Sequence, residues 1–203
     1  MLDEDKITEN KNFFLTTCKK NIGREGLCQL LNWLENSDFF IAPSSSRFHG
    51  NYKGGLCEHS INVYNALLDL VDMTKLQLYS LETLTIAALF HDLCKVSYYK
   101  PSTRNVKIDG VWQSIPGYEV DEKVPLGHGE KSCMILQQYI TLTVDELLAI
   151  RWHMGAFDYA VKGGDNTLSR AQDKCKLVSL LHIADMIASS LMETTYNPLL
   201  IKT

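Results

Sequence analysis

The 203-residue sequence lacks the features that mark several classes of protein. It has no two cysteines spaced as CxxC, and the acidic start from Met1 to Lys6 holds no apolar segment of a secretory signal. No stretch approaches the roughly 18 uncharged apolar residues that a membrane-spanning helix needs. We therefore expect a cytoplasmic protein with reduced, mostly buried thiols and no membrane partner.

Charge of one sign is also scarce. The chain has 20 basic and 24 acidic residues, a formal net charge of −4, and no run of five like charges. A protein that binds duplex DNA usually carries a basic stripe, so we expect no duplex DNA partner, although a small nucleotide or a short single strand is compatible with this composition. Hydrophobic residues make up 45 % of the chain, which is ordinary for a globular protein. A chain this long can fold without a structural metal.

Apolar residues recur at helical spacing through most of the chain, as at Leu27, Leu30, Leu31 and Leu34. Ser80 is a predicted helix N-cap, and Thr143 with Glu146 matches a capping box. Residues 42–55 and 155–166 are predicted loops. The predicted helices lie within 12–36 and at 58–72, 80–93, 129–140, 143–152 and 173–192.

The pattern changes between residues 96 and 127. Three of the five prolines lie there, and an Asp109-Gly110 pair between β-forming residues predicts a β-hairpin. We therefore predict an all-α fold, a helical bundle with a small inserted β-hairpin. One domain over 1–203 would comprise an N-terminal helical extension at 1–45, a core at 47–192 and the hairpin arm at 97–126.

Histidine and aspartate form an ordered series, each within or at the end of a separate predicted helix. Helices packed side by side can point such residues into one bundle core. Imidazole with carboxylate suits Fe, Mn, Zn, Ni or Co, and has too little oxygen for a calcium cage. Asp92 has two oxygens and could join one ion to a second ion held by His128 and His153. The predicted metal ligands are His59, His91, Asp92, His128, His153 and Asp185.

The motifs around these residues resemble the HD superfamily of metal-dependent phosphohydrolases. They are GGLCEH at 54–59, AALFHDLCK at 87–95, Gly127-His128, His153 and LHIAD at 181–185. The resemblance spans about residues 47–190 and implies an all-helical HD fold that hydrolyses phosphoesters, often of nucleotides. His128 and His153 resemble ligands of two-metal members, including 3′–5′ exoribonucleases and cyclic-dinucleotide phosphodiesterases. The Gly-Tyr-Pro signature of those phosphodiesterases and the separate nucleic-acid-binding domain of those exoribonucleases are missing.

Three residues are predicted to act in catalysis, in which a metal-bound hydroxide would attack phosphorus. Asp92 would hold the metal. Lys95 lies four residues after His91, on the same face if the helix continues, and the resemblance places such a lysine near the scissile phosphate. Glu58 directly precedes His59 and could orient the attacking water or a ligand.

Four further residues are predicted substrate contacts: Arg47 and His49 in the loop before Gly54, and Lys131 and Arg151 beside the second pair of histidines. Arginine suits bidentate contact with phosphate. His182, one turn before Asp185, would support the metal ligands from outside. Aromatic residues around the hairpin could stack on a base or pin the hairpin, namely Tyr98, Tyr99, Trp112 and Tyr118.

The sequence therefore predicts a metal-dependent hydrolase of a small phosphoester, a nucleotide or short oligonucleotide, with one or two transition-metal ions per chain. Two alternatives stay open. One is a catalytically silent nucleotide-binding or regulatory module, and the other is a di-iron oxygenase resembling inositol oxygenase. The choice between phosphomonoester and phosphodiester, the metal identity and the oligomeric state are also open, as is whether the hairpin is a lid or a dimer arm.

Overall fold

The computed structural model describes residues 2–108 and 110–193. It opens with two helices, α1 (Glu4–Asn21) and α2 (Leu27–Glu35), where the sequence predicted helix within 12–36. The Asp3 side chain caps α1 by accepting a hydrogen bond from the Lys6 amide at 2.7 Å. The chain breaks before α2 because Gly26 has a φ of +87°, and a Cβ there would lie 1.8 Å from the Tyr139 carbonyl oxygen.

The next two helices carry the first metal-ligand motifs. Helix α3 (Gly55–Thr74) follows the loop predicted at 42–55, and α4 (Leu81–Phe90) is capped by Ser80 as expected. Helix α4 ends earlier than predicted, since the chain turns at His91 and Asp92 into a single 3-10 turn at Leu93–Lys95. The His-Asp pair therefore sits at a helix end.

The inserted hairpin is confirmed. Strands β1 (Tyr99–Ile108) and β2 (Val111–Val120) pair antiparallel over ten residues each, from Tyr99 opposite Val120 to Ile108 opposite Val111. Gly110 in the turn has a φ of +83°, which favours glycine, and its neighbour Asp109 lies outside the described residues. None of the strand residues with described side chains is buried and most are exposed, so the hairpin projects from the helices.

The second half of the described chain is helical again, with α5 (His128–Leu136), α6 (Val144–Trp152), α7 (Tyr159–Lys162), α8 (Thr167–Lys174) and α9 (Lys176–Ile187). The Thr143 capping box at α6 is present. Two predictions need correction. The loop predicted at 155–166 contains a 3-10 turn at Gly155–Phe157 and then α7. The single helix predicted at 173–192 is broken at Cys175 and ends in a π-helical turn at Ala188–Met192.

Helix α3 packs on α4 and α9, and α6 packs on α4, α5 and α9, so the helices that carry the predicted ligands are neighbours. The apolar core beneath them takes residues from Phe14 in α1 through to Ala188 after α9. The Phe14 ring contacts Phe39 and Phe90 at centroid distances of 5.0 and 5.7 Å, which ties α1 to the end of α4. The predicted helical bundle with a small hairpin is thus confirmed. The boundaries predicted inside the domain stay predictions, and residues 194–203 lie outside the described part.

Two further expectations concern the cysteines and the membrane. Five cysteines are buried and Cys28 is exposed, so the thiols are mostly buried as predicted. Across residues 2–108 and 110–193, no single helix is long and apolar enough to cross a membrane. Helix α8 and the helical stretch from Lys176 to Met192 are long and apolar enough for a membrane span only when taken together. The chain bends by 108° between them.

Candidate metal centre

Asp92 lies at the centre of the predicted ligands, with its side chain 2 % exposed. Its Oδ2 atom is 3.6 Å from His59 Nε2 and 3.4 Å from His91 Nε2. Its Oδ1 atom is 2.9 Å from His128 Nε2 and 3.5 Å from His153 Nε2. One carboxylate therefore divides four imidazoles into two pairs, one at each oxygen.

Two of these rings are oriented by the ends of their own helices. His91 is the C-cap of α4 and His153 is the C-cap of α6. The Nδ1 atoms lie 2.8 Å from the Ala88 carbonyl oxygen and 2.7 Å from that of Ile150, in the last turns of those helices. Carbonyls in that position have no partner within the helix, and a carbonyl can only accept, so Nδ1 donates in both rings.

This orientation provides the test of whether the residues fit a metal ion. Because Nδ1 carries the hydrogen, each Nε2 atom has a lone pair in the neutral ring. The Nε2 atoms of both His91 and His153 are buried, have no hydrogen-bond partner, and face Asp92. A buried acceptor without a partner is costly unless something binds it, so the two rings fit metal ligation.

The first pair of imidazoles is completed by a second carboxylate. Asp185 on α9 places Oδ1 3.3 Å from His59 Nε2 on α3. The potential ligand atoms of His59, His91 and Asp185 lie within 4.8 Å of one another, as do those of His91, Asp92 and His153. The structure therefore brings all six predicted metal ligands to one place. The donor set of nitrogens and carboxylate oxygens suits a divalent transition metal.

The charges at the centre are strongly coupled. Burial alone raises the pKa of Asp92, but the Lys95 ammonium and the neighbouring imidazoles hold that pKa well below its ordinary range. Burial lowers the pKa of His59, and hydrogen bonds to Asp185 and Glu193 more than reverse this, raising it to about 10. Asp92 is therefore ionised at neutral pH, and His59 holds a proton there unless a metal ion replaces it.

Metal affinity is accordingly expected to rise with pH. Below pH 10 an ion must displace the His59 proton, so each unit of increase in pH between 6.5 and 8.5 should strengthen binding by about tenfold for this one proton. Asp92 and Asp185 remain ionised across that range, because their pKa values are lowered, and do not change the sign. Titration of Zn²⁺ against a chelating dye at several pH values measures the slope. An affinity independent of pH would contradict the protonated state of His59.

The two other predicted catalytic residues have different surroundings. Lys95 reaches the centre from the 3-10 turn instead of from a continuing helix, and its Nζ lies 2.6 Å from Asp92 Oδ2 with the side chain 9 % exposed. Glu58 accepts a hydrogen bond from the Tyr52 hydroxyl at 2.5 Å and does not line the cavity described next. Lys95 therefore contacts the predicted metal centre through Asp92. Glu58 instead contacts Tyr52.

A cavity of about 940 Å³ opens above the centre, and Asp92, Lys95, His128 and Asp185 are on its wall. His49 also lines it, with its ring centroid 5.0 Å from that of His59 and its Nε2 atom buried without a hydrogen-bond partner. The aromatic residues on the wall are Phe48, Tyr98, Tyr99, Phe157 and Tyr159. Of these, Phe48 and Tyr159 are 81 % and 88 % exposed, which is unusual for such large rings.

Three predicted substrate contacts are not on the cavity wall. Arg47 is exposed and does not line the cavity. Arg151 pairs with Glu130 and with Asp158, at 2.8 Å for the latter, and stacks on the Trp152 ring. Lys131 Nζ lies 3.7 Å from Glu122 Oε1 and 5.2 Å from the Tyr98 ring centroid. Among the four predicted contacts, only His49 is on the wall.

Sequence reasoning missed one residue at the centre and several on the wall. Glu193 contacts the far side of His59 and has no motif around it. Phe157, Tyr159 and Lys162 line the cavity from a segment for which the sequence predicts only a loop. The available signal was two aromatic residues, Phe157 and Tyr159, in a Gly-rich segment. His182, predicted as a supporting residue, donates from Nδ1 to the His153 carbonyl oxygen at 2.7 Å.

Replacing Gly155 by alanine is expected to disturb the centre through His182. Gly155 has a φ of +52°, and a Cβ there would lie 2.5 Å from the His182 ring. An alanine there would keep a left-handed backbone, which costs about 1–2 kcal/mol. Its Cβ would also displace the His182 ring. We expect weaker metal binding and a lower free energy of unfolding, measured by dye competition and by urea denaturation. Gly164→Ala is the control, since Gly164 has a φ of +94° and open space around it; equal effects of the two variants would contradict this role of His182.

A scan against family models matches the HD domain over residues 56–189. No curated protein and no solved structure matches the chain. The matched range includes all six predicted ligands and covers more than half of the sequence. The chain therefore belongs to the HD domain family, whose general kind is a metal-dependent phosphohydrolase.

Proposed function

We propose that this protein hydrolyses a phosphoester bond of a nucleotide or short oligonucleotide at a centre of two divalent transition-metal ions. The observation that carries the proposal is the division of four imidazoles between the two oxygens of Asp92. A carboxylate placed between two pairs of imidazoles could contribute a ligand to each of two ions. His59, His91 and Asp185 would complete one ion's ligands, and His128 and His153 those of the other.

Ions bound there would lower the pKa of water and polarise a phosphoryl oxygen. The chain's own contribution begins with Lys95. Burial alone lowers the pKa of Lys95, but the Asp92 carboxylate raises it by more. The ammonium therefore stays charged at neutral pH. A fixed positive charge on the cavity wall can stabilise negative charge that develops on the phosphoryl oxygens. Because the ammonium holds its proton tightly, this role is favoured over protonation of the leaving group.

The rest of the cavity supports an organic group beside the phosphate. A volume of about 940 Å³ is at the upper end of the range for small-molecule sites, so it accommodates more than a phosphoryl group. Aromatic walls stack on bases without strong sequence preference, which suits a nucleotide. The Lys162 ammonium lies 5.3 Å from the Tyr159 ring centroid and adds positive charge at that wall.

The test is a screen of protein reconstituted with Mn²⁺, Fe²⁺, Co²⁺, Ni²⁺ or Zn²⁺. Nucleoside monophosphates, cyclic nucleotides and short oligoribonucleotides are the substrates, and release of phosphate or of mononucleotide distinguishes monoester from diester cleavage. We expect metal-dependent turnover that is lost in Asp185→Asn. The matched control is Asp72→Asn, because Asp72 lies on α3 with an 85 % exposed side chain.

Metal analysis of the same samples tests the two-ion centre. His128→Ala should lower the content from two ions per chain to one, since His128 contacts only the Oδ1 side of Asp92. One ion in both proteins would make His128 a phosphate contact. Oxygen consumption by iron-loaded protein without phosphoester cleavage would support the oxygenase alternative. No bound metal after chelator-free purification would support the silent binding module.

A further inference from the structure

The Glu193 side chain is almost fully buried against His59. Its Oε1 and Oε2 atoms lie 3.0 and 3.2 Å from His59 Nδ1, on the side of the ring opposite the metal centre. The Glu193 side chain is 2 % exposed and that of His59 is 1 % exposed. Asn62, one helical turn after His59 on α3, donates from Nδ2 to Glu193 Oε1 at 3.1 Å. Glu193, His59 and the centre therefore form a line in which each group contacts the next.

The π-helical turn at Ala188–Met192 delivers Glu193 to this position. At about 3.6 residues per turn, an α-helix would place the seventh residue after Asp185, Met192, on the same face as Asp185. A π turn bonds residue i to i+5 and so holds one residue more, as the bond from the Glu193 amide to the Ala188 carbonyl oxygen at 3.1 Å shows. Glu193 thereby takes the place facing α3, and the Met192 residue is 48 % exposed.

We propose that Glu193 is a positioning residue for the His59 ligand, an inference that rests on the metal centre in the proposed function. Its carboxylate accepts the Nδ1 hydrogen of His59, which directs the Nε2 lone pair to the ion and makes that nitrogen a stronger donor. Outer partners of this kind typically change metal affinity by about 10- to 100-fold. Asn62 acts one step further out, by holding the carboxylate in place.

The test compares Glu193→Ala, Glu193→Gln and Asn62→Ala in the full-length chain. Glutamine keeps an oxygen that can accept from Nδ1 but removes the charge, whereas alanine removes both. We expect the Zn²⁺ dissociation constant, measured by dye competition, to rise about 10- to 100-fold in Glu193→Ala and less in the other two. The absorption spectrum of the Co²⁺-loaded protein should change in the same order. Glu35→Ala is the control, since Glu35 pairs with Lys11 on the surface.

The thermal midpoint of the metal-free proteins separates positioning from folding. A positioning role predicts weaker metal binding in Glu193→Gln although the metal-free variant still unfolds cooperatively and well above the assay temperature. Its midpoint should fall somewhat, because the variant removes a buried counter-charge of the protonated His59 ring. Unchanged dissociation constants and Co²⁺ spectra in Glu193→Ala would overturn the inference. Because these measurements need bound metal but no turnover, they remain decisive if no phosphoester is cleaved, and failure of the inference leaves the proposed hydrolysis standing.

Discussion

Replacing Asp92 by asparagine should remove metal binding and reduce phosphoester turnover by at least about a thousandfold. Both oxygens of this carboxylate are engaged, Oδ2 towards His59 and His91 and Oδ1 towards His128 and His153. Asparagine retains one oxygen and loses the charge. Metal analysis and turnover of the best substrate from the screen measure the two effects, and a variant with a full metal complement and full turnover would refute the assignment.

The same substitution is expected to destabilise the metal-free protein. Lys95 Nζ lies 2.6 Å from Asp92 Oδ2 in a buried pair, and removing one partner of such a pair typically costs about 3–5 kcal/mol. The double variant Asp92→Asn/Lys95→Met removes both charges and serves as the control. It should recover much of the free energy of unfolding while still failing to bind metal. Recovery of metal binding in the double variant would contradict the role of Asp92.

Arg24→Met is expected to lower the free energy of unfolding by about 3–5 kcal/mol. Arg24, between α1 and α2, binds both oxygens of Glu146 on α6 at 2.6 Å, and the Glu146 side chain is fully buried. Glu146 also accepts from the Thr143 amide at 2.8 Å, so its charge cannot turn to solvent without opening the start of α6. Methionine would leave that carboxylate buried without its counter-charge. The thermal midpoint should fall by roughly 10 °C or more.

Two controls accompany this measurement. Arg24→Met/Glu146→Gln removes both charges and keeps an oxygen for the Thr143 amide, so it should be more stable than the single variant. Lys53→Met breaks an ion pair to Glu4 in which both side chains are exposed, and it should change stability little. A single Arg24→Met variant as stable as Lys53→Met would show that Arg24 does not compensate the buried charge.

Among the predicted metal ligands, His91 and His153 could be placed together from the sequence because both lie at helix ends, whereas His59 and Asp185 lie inside α3 and α9. His91 and His153 follow the last residues of α4 and α6, where their rings bond to carbonyls of the preceding turn. A ring that bonds to the carbonyl three residues before it depends only on its own helix end. Histidines at the ends of several packed helices can therefore face one bundle core. The hairpin and the caps at Ser80 and Thr143 were predictable for the same reason, since each depends on a few neighbouring residues.

The remaining features depend on contacts between distant parts of the chain. Arg151 was predicted to contact substrate because it is only two residues before His153. Two residues correspond to about 200° around a helix, so the two side chains lie on opposite sides of it. The break at Cys175 has no glycine or proline to mark it. The break coincides with contacts to distant residues. The Cys175 Sγ atom donates to the Asp145 carbonyl oxygen and lies 3.7 Å from the Tyr79 hydroxyl. Glu193 could not be predicted because helical periodicity places Met192, not Glu193, on the face of Asp185. The extra residue in the π turn moves Glu193 to that face.

The β1–β2 hairpin has a consequence for how copies of this protein meet one another. A ladder of two strands has two open sides, and each is a template on which another strand could add. Pro101 in β1 and Pro116 in β2 have no amide hydrogen, so each removes a donor from its strand where an incoming strand would need one. Lys100, Arg104 and Lys107 add charge along β1. The long exposed hairpin is thereby protected against edge-to-edge aggregation while its faces stay open to solvent.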